Sequence, residues 1–138
     1  MQLAADANAL LSAVLGGRAR LVLSHPEVEE VLTTETTFAE VQEYAPLLGR
    51  QKRIAPETLM LAVAALPVSI VAREVYGKAI PRARKVIGWR DPDDVELLAM
   101  AMHFGIPLWS NDNDFKGCGA ELNTTAQLLR KLGVTGDK

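Results

Sequence analysis

One cysteine, Cys118, stands among 138 residues. It excludes an intramolecular disulfide and any cysteine-built zinc cluster, and it suits a reducing compartment. Histidine is nearly as scarce, with only His25 and His103, and these two do not fall at the spacing of a helical metal-ligand pair. His103 lies near the end of a helix pattern, where a partly protonated imidazole is favourable in its own right. Serine within a G-x-S-x-G elbow is absent, as is any glycine loop of the phosphate-cradling kind. Apolar runs stay short of the roughly 18 residues that a membrane span needs. The apolar N-terminus lacks the basic start of a signal peptide and is interrupted by Asp6 and Asn8, so a cytoplasmic protein is expected. Excess positive charge is missing too. A net charge of −2 gives no bulk pull towards nucleic acid, so a polyanionic partner has to be held by a local basic patch or through a metal.

Apolar residues make up 49% of the chain and charged residues 23%, which reads as one globular domain over residues 1–138. Strand and helix signals alternate along it. Short strands are expected at 3–5, 28–33, 68–72, 108–110 and, as a possible fifth, 122–124. Helices are expected at 7–15, 18–23, from Thr37 to about Leu48, 56–66, 78–87, from Asp91 to about Gly105, and 125–132. Pro46 predicts a bend or break near the end of the third helix. Such alternation implies a three-layer α/β/α domain with a mostly parallel central sheet of four or five strands.

Four acids sit at the ends of apolar runs: Asp6, Glu40, Asp94 and Asp112. In a parallel α/β sheet, strand C-termini and the helix starts after them share the edge where ligands bind. Carboxylates gathered there repel one another by roughly 4 kcal/mol at 4 Å and an effective dielectric near 20. A hard divalent cation relieves that repulsion, so Mg²⁺ or Mn²⁺ is the expected cofactor of a phosphoryl-transfer site. Each acid also has a plain structural explanation. Asp6 fits a helix N-cap, and Glu40 fits the last position of a capping box opened by Thr37, with Thr34 as a competing cap. Asp91 fits an N-cap before Pro92, with Asp93 and Asp94 in the favourable first turn. Asp94 lies one turn before Leu98 on the core-facing side with Val95, Ala99 and Met102, whereas Asp91 and Asp93 are expected to face solvent. The segment Trp109, Ser110, Asn111, Asp112, Asn113, Asp114 and Phe115 resists dismissal as a turn, because apolar residues anchor both ends of its acids.

Arg73, Lys78, Arg82, Arg84, Lys85 and Arg90 stand against one acid, Glu74, over residues 73–90. They read either as a solvated helix face or as a rim that holds flanking phosphates, with Arg82, Arg84, Lys85 and Arg90 as the candidates. The helix from Leu59 to Leu66 is apolar all round and calls for a covering partner, which predicts a homodimer or a bound peptide.

Four blocks in order resemble the PIN domain, a family of metal-dependent ribonucleases with many small VapC-like toxins of toxin–antitoxin pairs. They are Leu3 to Ser12, Thr37 to Val41, Asp94 to Gly105, and Ile106 to Phe115. The resemblance implies that Asp6, Glu40, Asp94 and Asp112 are catalytic, metal-binding acids. It further implies that Asn8 supports the first, that Ser110 hydrogen-bonds within the site, and that Asp114 assists Asp112. RNA would be the substrate and a small antitoxin the partner. Ala7 departs from the pattern, since a hydroxyl residue is frequent there. A non-catalytic module whose acidic cavity accepts a partner's arginine is the rival expectation. A receiver-type phosphotransfer domain fits less well, because only Lys116 follows the last acidic segment.

Overall fold

The computed structural model describes residues 1–88 and 91–134. Its elements follow in the order β1 (Gln2–Ala5), α1 (Ala7–Val14), α2 (Ala19–Leu23), β2 (Glu30–Thr34), α3 (Glu35–Gln51), α4 (Pro56–Ala64), β3 (Ser69–Val71), α5 (Arg73–Tyr76), α6 (Ile80–Ile87), α7 (Pro92–Phe104), β4 (Leu108–Trp109), β5 (Leu122–Asn123) and α8 (Thr125–Lys131). Every strand pair is parallel, and the sheet order is β3-β2-β1-β4-β5.

Side-chain alternation on the strands divides the core in two. Leu3, Ala5, Val31 and Trp109 face a layer built from α1, α2, α3, α4 and α8. Ala4, Leu32 and Leu108 face the layer of α5, α6 and α7. This period of two is what a sheet buried on both faces requires, and the three-layer α/β/α fold follows from it. Trp109, Leu10, Leu97, Leu98 and Leu128 are among the largest fully buried side chains, each stabilising by roughly 1.5–3 kcal/mol relative to exposure.

Local chemistry sets the element ends. Thr34, not Thr37, caps α3: its hydroxyl accepts from Thr37 N at 3.0 Å. The helix therefore starts two residues earlier than expected, which leaves Glu40 in its second turn, out of reach of the cap. Pro46 lies inside α3, which continues to Gln51 instead of breaking. Near the end of α3, a Cβ on Gly49 would meet Leu59 Cδ2 at 2.5 Å. Glycine is what lets α3 and α4 approach so closely. Gly105 closes α7 in the left-handed region at φ 65°, a conformation glycine adopts without steric cost.

Helix α7 corrects a second expectation. It is buried on nearly all sides from Val95 to Ala101, including Glu96, rather than along one stripe. The sheet covers one flank and α5 and α6 the other. Glu96 is tolerated there because Tyr76 Oη donates to Glu96 Oε1 at 2.6 Å, and Arg73 Nε stands 3.9 Å from the same oxygen. A buried carboxylate without such partners would be strongly destabilising. Burial, followed by the bond to Glu96, raises the Tyr76 hydroxyl well above its ordinary pKa. Among the described residues, no helix is long and apolar enough to cross a membrane.

Candidate active site

Chain order reverses about β1. Strands β2 and β3 extend the sheet one way, and β4 and β5 extend it the other. The crevice beyond the carboxyl ends of β1 and β4 is therefore the topological switch point, where open α/β sheets bind ligands. Asp6 follows β1, and its backbone N–H donates to Trp109 O at 3.1 Å, locking the two strand ends together. Asp6 also caps α1, accepting from Ala9 N at 2.8 Å through Oδ1. Its other oxygen, Oδ2, accepts a short hydrogen bond from Ser110 Oγ. Ser110 is fully buried, and its Oγ accepts in turn from Asp112 N at 3.0 Å. One hydroxyl thus ties the acid after β1 to the loop after β4. Asn111 fixes that loop from the other side, with its Oδ1 accepting from Thr125 N at 2.9 Å.

These elements enclose a cavity of about 90 Å³ lined by Asp6, Ala7, Asn8, Thr37, Glu40, Asp91, Asp93, Asp94, Leu97, Asp112 and Asp114. At a share of about 30 Å³ per water, it holds roughly three waters or a partly hydrated ion. Asp6, Glu40, Asp94 and Asp112 thus meet there, from the ends of β1 and β4 and from α3 and α7. Asn8 and Asp114 are on the rim. Ala7 presents only a methyl group in the lining, so no hydroxyl supports the site from that position.

Asp91 is exposed, as expected, whereas Asp93 is only partly so. Both line the cavity, and Asp93 hydrogen-bonds the Glu40 carboxyl. Helix-face arithmetic on α7 alone missed this, because the opposing wall is α3, whose approach is a tertiary fact. Asp91 still caps α7, accepting from Asp93 N at 2.9 Å.

The basic residues sort differently. Arg82 lines a second cavity with Ala101, Met102 and Gly105 at the C-terminal end of α7. At 1.5 Å per helical residue, Ala101 is about 10 Å along the axis from Asp94. Neither Arg84 nor Lys85 lines the acidic cavity, and Arg90 lies outside the described residues.

Charge crowding is visible in the protonation behaviour. Burial, then the bond to Asp93 and the charges of Asp93, Asp91 and Asp94, push Glu40 up to about 7. Asp94 also rises to about 7, through burial and then the charges of Asp91, Asp114, Asp112 and Asp6. Burial raises Asp6 as well, opposed by its bonds from Ser110 and Ala9. No lysine or arginine lines the cavity among the described residues. The donor set is all oxygen and anionic, which fits a hard divalent cation such as Mg²⁺ or Mn²⁺. Among the described residues, no three potential ligands are already gathered into a cage.

A comparison with curated proteins found no significant match. The sequence profile of the PIN domain matches residues 5–133, a span that includes all four acid-bearing segments around the cavity. The chain belongs to the PIN domain family and carries its nuclease-type fold.

Proposed function

We propose that this chain is a Mg²⁺- or Mn²⁺-dependent endoribonuclease that hydrolyses RNA phosphodiester bonds, acts as the toxin of a toxin–antitoxin pair, and is cytoplasmic. The observation that carries the reading is the meeting of Asp6, Glu40, Asp94 and Asp112 in one cavity, where crowding and burial push Glu40 and Asp94 up to about 7. A protein gains nothing in stability from such crowding, and functional sites are where that cost is retained.

Asp6, Glu40, Asp94 and Asp112 would hold the cation, which would supply a bound water of lowered pKa and offset charge on the phosphate. The chain's own contribution is positional. Ser110 and the Ala9 amide fix both oxygens of Asp6, so this ligand needs no reorganisation. Asn8 offers a neutral amide donor on an otherwise acidic rim and is suited to a phosphate oxygen. Exposed Asp112 and Asp114 leave the mouth open to a polymer, which suits cleavage within a chain. Arg84, Lys85 and Arg90 are assigned to flanking phosphates; Arg82, beside the second cavity, is the weakest member of that set.

Purified protein with Mn²⁺ or Mg²⁺ should cut single-stranded RNA, and excess chelator should abolish the activity until the metal is restored. Cleavage that persists in chelator would overturn the metal assignment. A non-catalytic module that takes a partner's arginine shares the acidic cavity. Absence of cleavage together with absence of millimolar Mn²⁺ binding would favour that rival.

A cognate antitoxin would cover the acidic mouth with a basic side chain. A second copy of this chain is assigned to the apolar surface of α3 and α4, where Leu47 is 49%, Met60 46% and Leu61 71% exposed. Sedimentation at micromolar concentration is expected to give a dimer, and a clean monomer would contradict this assignment.

A further inference from the structure

A second, wider groove of about 650 Å³ adjoins the acidic cavity and shares Glu40, Asp91 and Asp93 with it. Its other wall is one face of α3, formed by Thr36, Ala39, Glu43 and Tyr44. Tyr44 follows Glu40 by one helical turn, roughly 6 Å along the axis. The residue is 44% exposed, and among the described residues its hydroxyl bonds to nothing.

The groove's chemistry decides what can lie against that ring. Glu40, Glu43, Asp91 and Asp93 repel a phosphate, and no lysine or arginine among the described residues lines the groove beside them. A polynucleotide would therefore turn its backbone away and present its uncharged, planar bases. Base faces stack on exposed aromatic rings, and carboxylates accept from exocyclic amino groups.

We propose that Tyr44 stacks the nucleobase next to the scissile phosphate, while Glu43 accepts a hydrogen bond from its amino group, so that cytosine, adenine or guanine is preferred to uracil at that position. The proposal rests on the nuclease reading for the identity of the substrate, and it adds a positioning residue and a base preference.

The test measures binding and cleavage separately. Fluorescence anisotropy with short labelled oligo-C, oligo-A and oligo-U RNA in Mg²⁺ gives Kd, while gels follow cleavage of the same strands. Tyr44→Ala should weaken binding of oligo-C about 10- to 100-fold, as stacking on one ring implies. Its KM should rise to match while kcat changes little. Tyr44→Phe, which keeps the ring, should stay close to wild type. Glu43→Gln should narrow the preference of oligo-C over oligo-U. Equal thermal midpoints establish that the variants are folded. An unchanged Kd for Tyr44→Ala, or a Tyr44→Phe as weak as Tyr44→Ala, overturns the proposal. Wild-type protein that binds RNA through Tyr44 but cuts none would sink the nuclease reading alone, leaving the stacking assignment in place.

Discussion

Asp94→Asn is expected to lower RNA cleavage by at least about 10³-fold while making the metal-free protein more stable. The first effect follows from losing one anionic ligand in a site where electrostatics carries the chemistry; three decades correspond to about 4 kcal/mol of barrier. The second follows from crowding. Burial and the charges of Asp91, Asp114, Asp112 and Asp6 all disfavour the ionised Asp94, and an amide of the same shape removes that penalty. Asp94 is partly exposed, so solvent screening cuts the gain to about 1 kcal/mol, or roughly 3 °C in thermal midpoint. Asp6→Asn should lose activity to the same degree without unravelling α1, because Asn is as good a helix N-cap as Asp. Activity assays and thermal melts in chelator check both halves. Either variant retaining cleavage within a few-fold of wild type would defeat the assignment of these acids. An Asp94→Asn protein less stable than wild type in chelator would contradict the repulsion argument.

The metal-free protein should lose stability as pH rises from about 4 to about 7. Glu40 and Asp94 have folded-state values near 7, against ordinary values of 4.5 and 3.8. Between those limits the folded state binds more protons than the unfolded state. The slope of unfolding free energy with pH is then negative, so the stability held in acid is lost as the folded groups ionise. Above about pH 8 the contribution should be flat. Mn²⁺ should reverse the trend. Protons and cation compete for the same oxygens, so metal affinity rises over the same window. At 100 times its Kd the ion adds about 2.7 kcal/mol. Melting curves at several pH values, with chelator and with Mn²⁺, test this. A metal-free midpoint that is flat or rising from pH 4 to 7, or one that Mn²⁺ fails to raise at pH 8, would contradict it.

The sequence made the architecture legible because its strands are short apolar runs bounded by clear helix starts. Leu3 to Ala5, Asp6 as a cap, and Gly105 as a helix end are each local decisions, and the structure has them where local chemistry puts them. One cap was an open choice, and two features were hidden for a shared reason. Thr34 won the cap of α3 over Thr37, and the two choices differ only in which hydroxyl the first turn meets. Burial of Glu96 depends on Tyr76, a partner 20 residues away, and on a neighbouring layer over α7. A helical pattern read alone shows one apolar stripe and cannot register cover on the opposite side. Asp91 is exposed, as its helix face implies, but Asp93 is only partly so, because α3 brings Glu40 against it. The order of the four acid-bearing blocks did survive translation into space, because each block marks a strand end or helix start on the same sheet edge. The basic stretch did not give a comparable signal, since a run of arginines on a solvated helix carries no information about which cavity it borders; Arg82 borders the other one.

A crystal soaked in Mn²⁺ and measured at the manganese absorption edge addresses the founding claim without relying on any assay. The account predicts an anomalous peak in the cavity between the ends of β1 and β4, within coordination distance of Asp6 and Asp94, with Glu40 or Asp112 completing the set directly or through water. A peak bound elsewhere, or an empty cavity at saturating manganese and neutral pH, would contradict it.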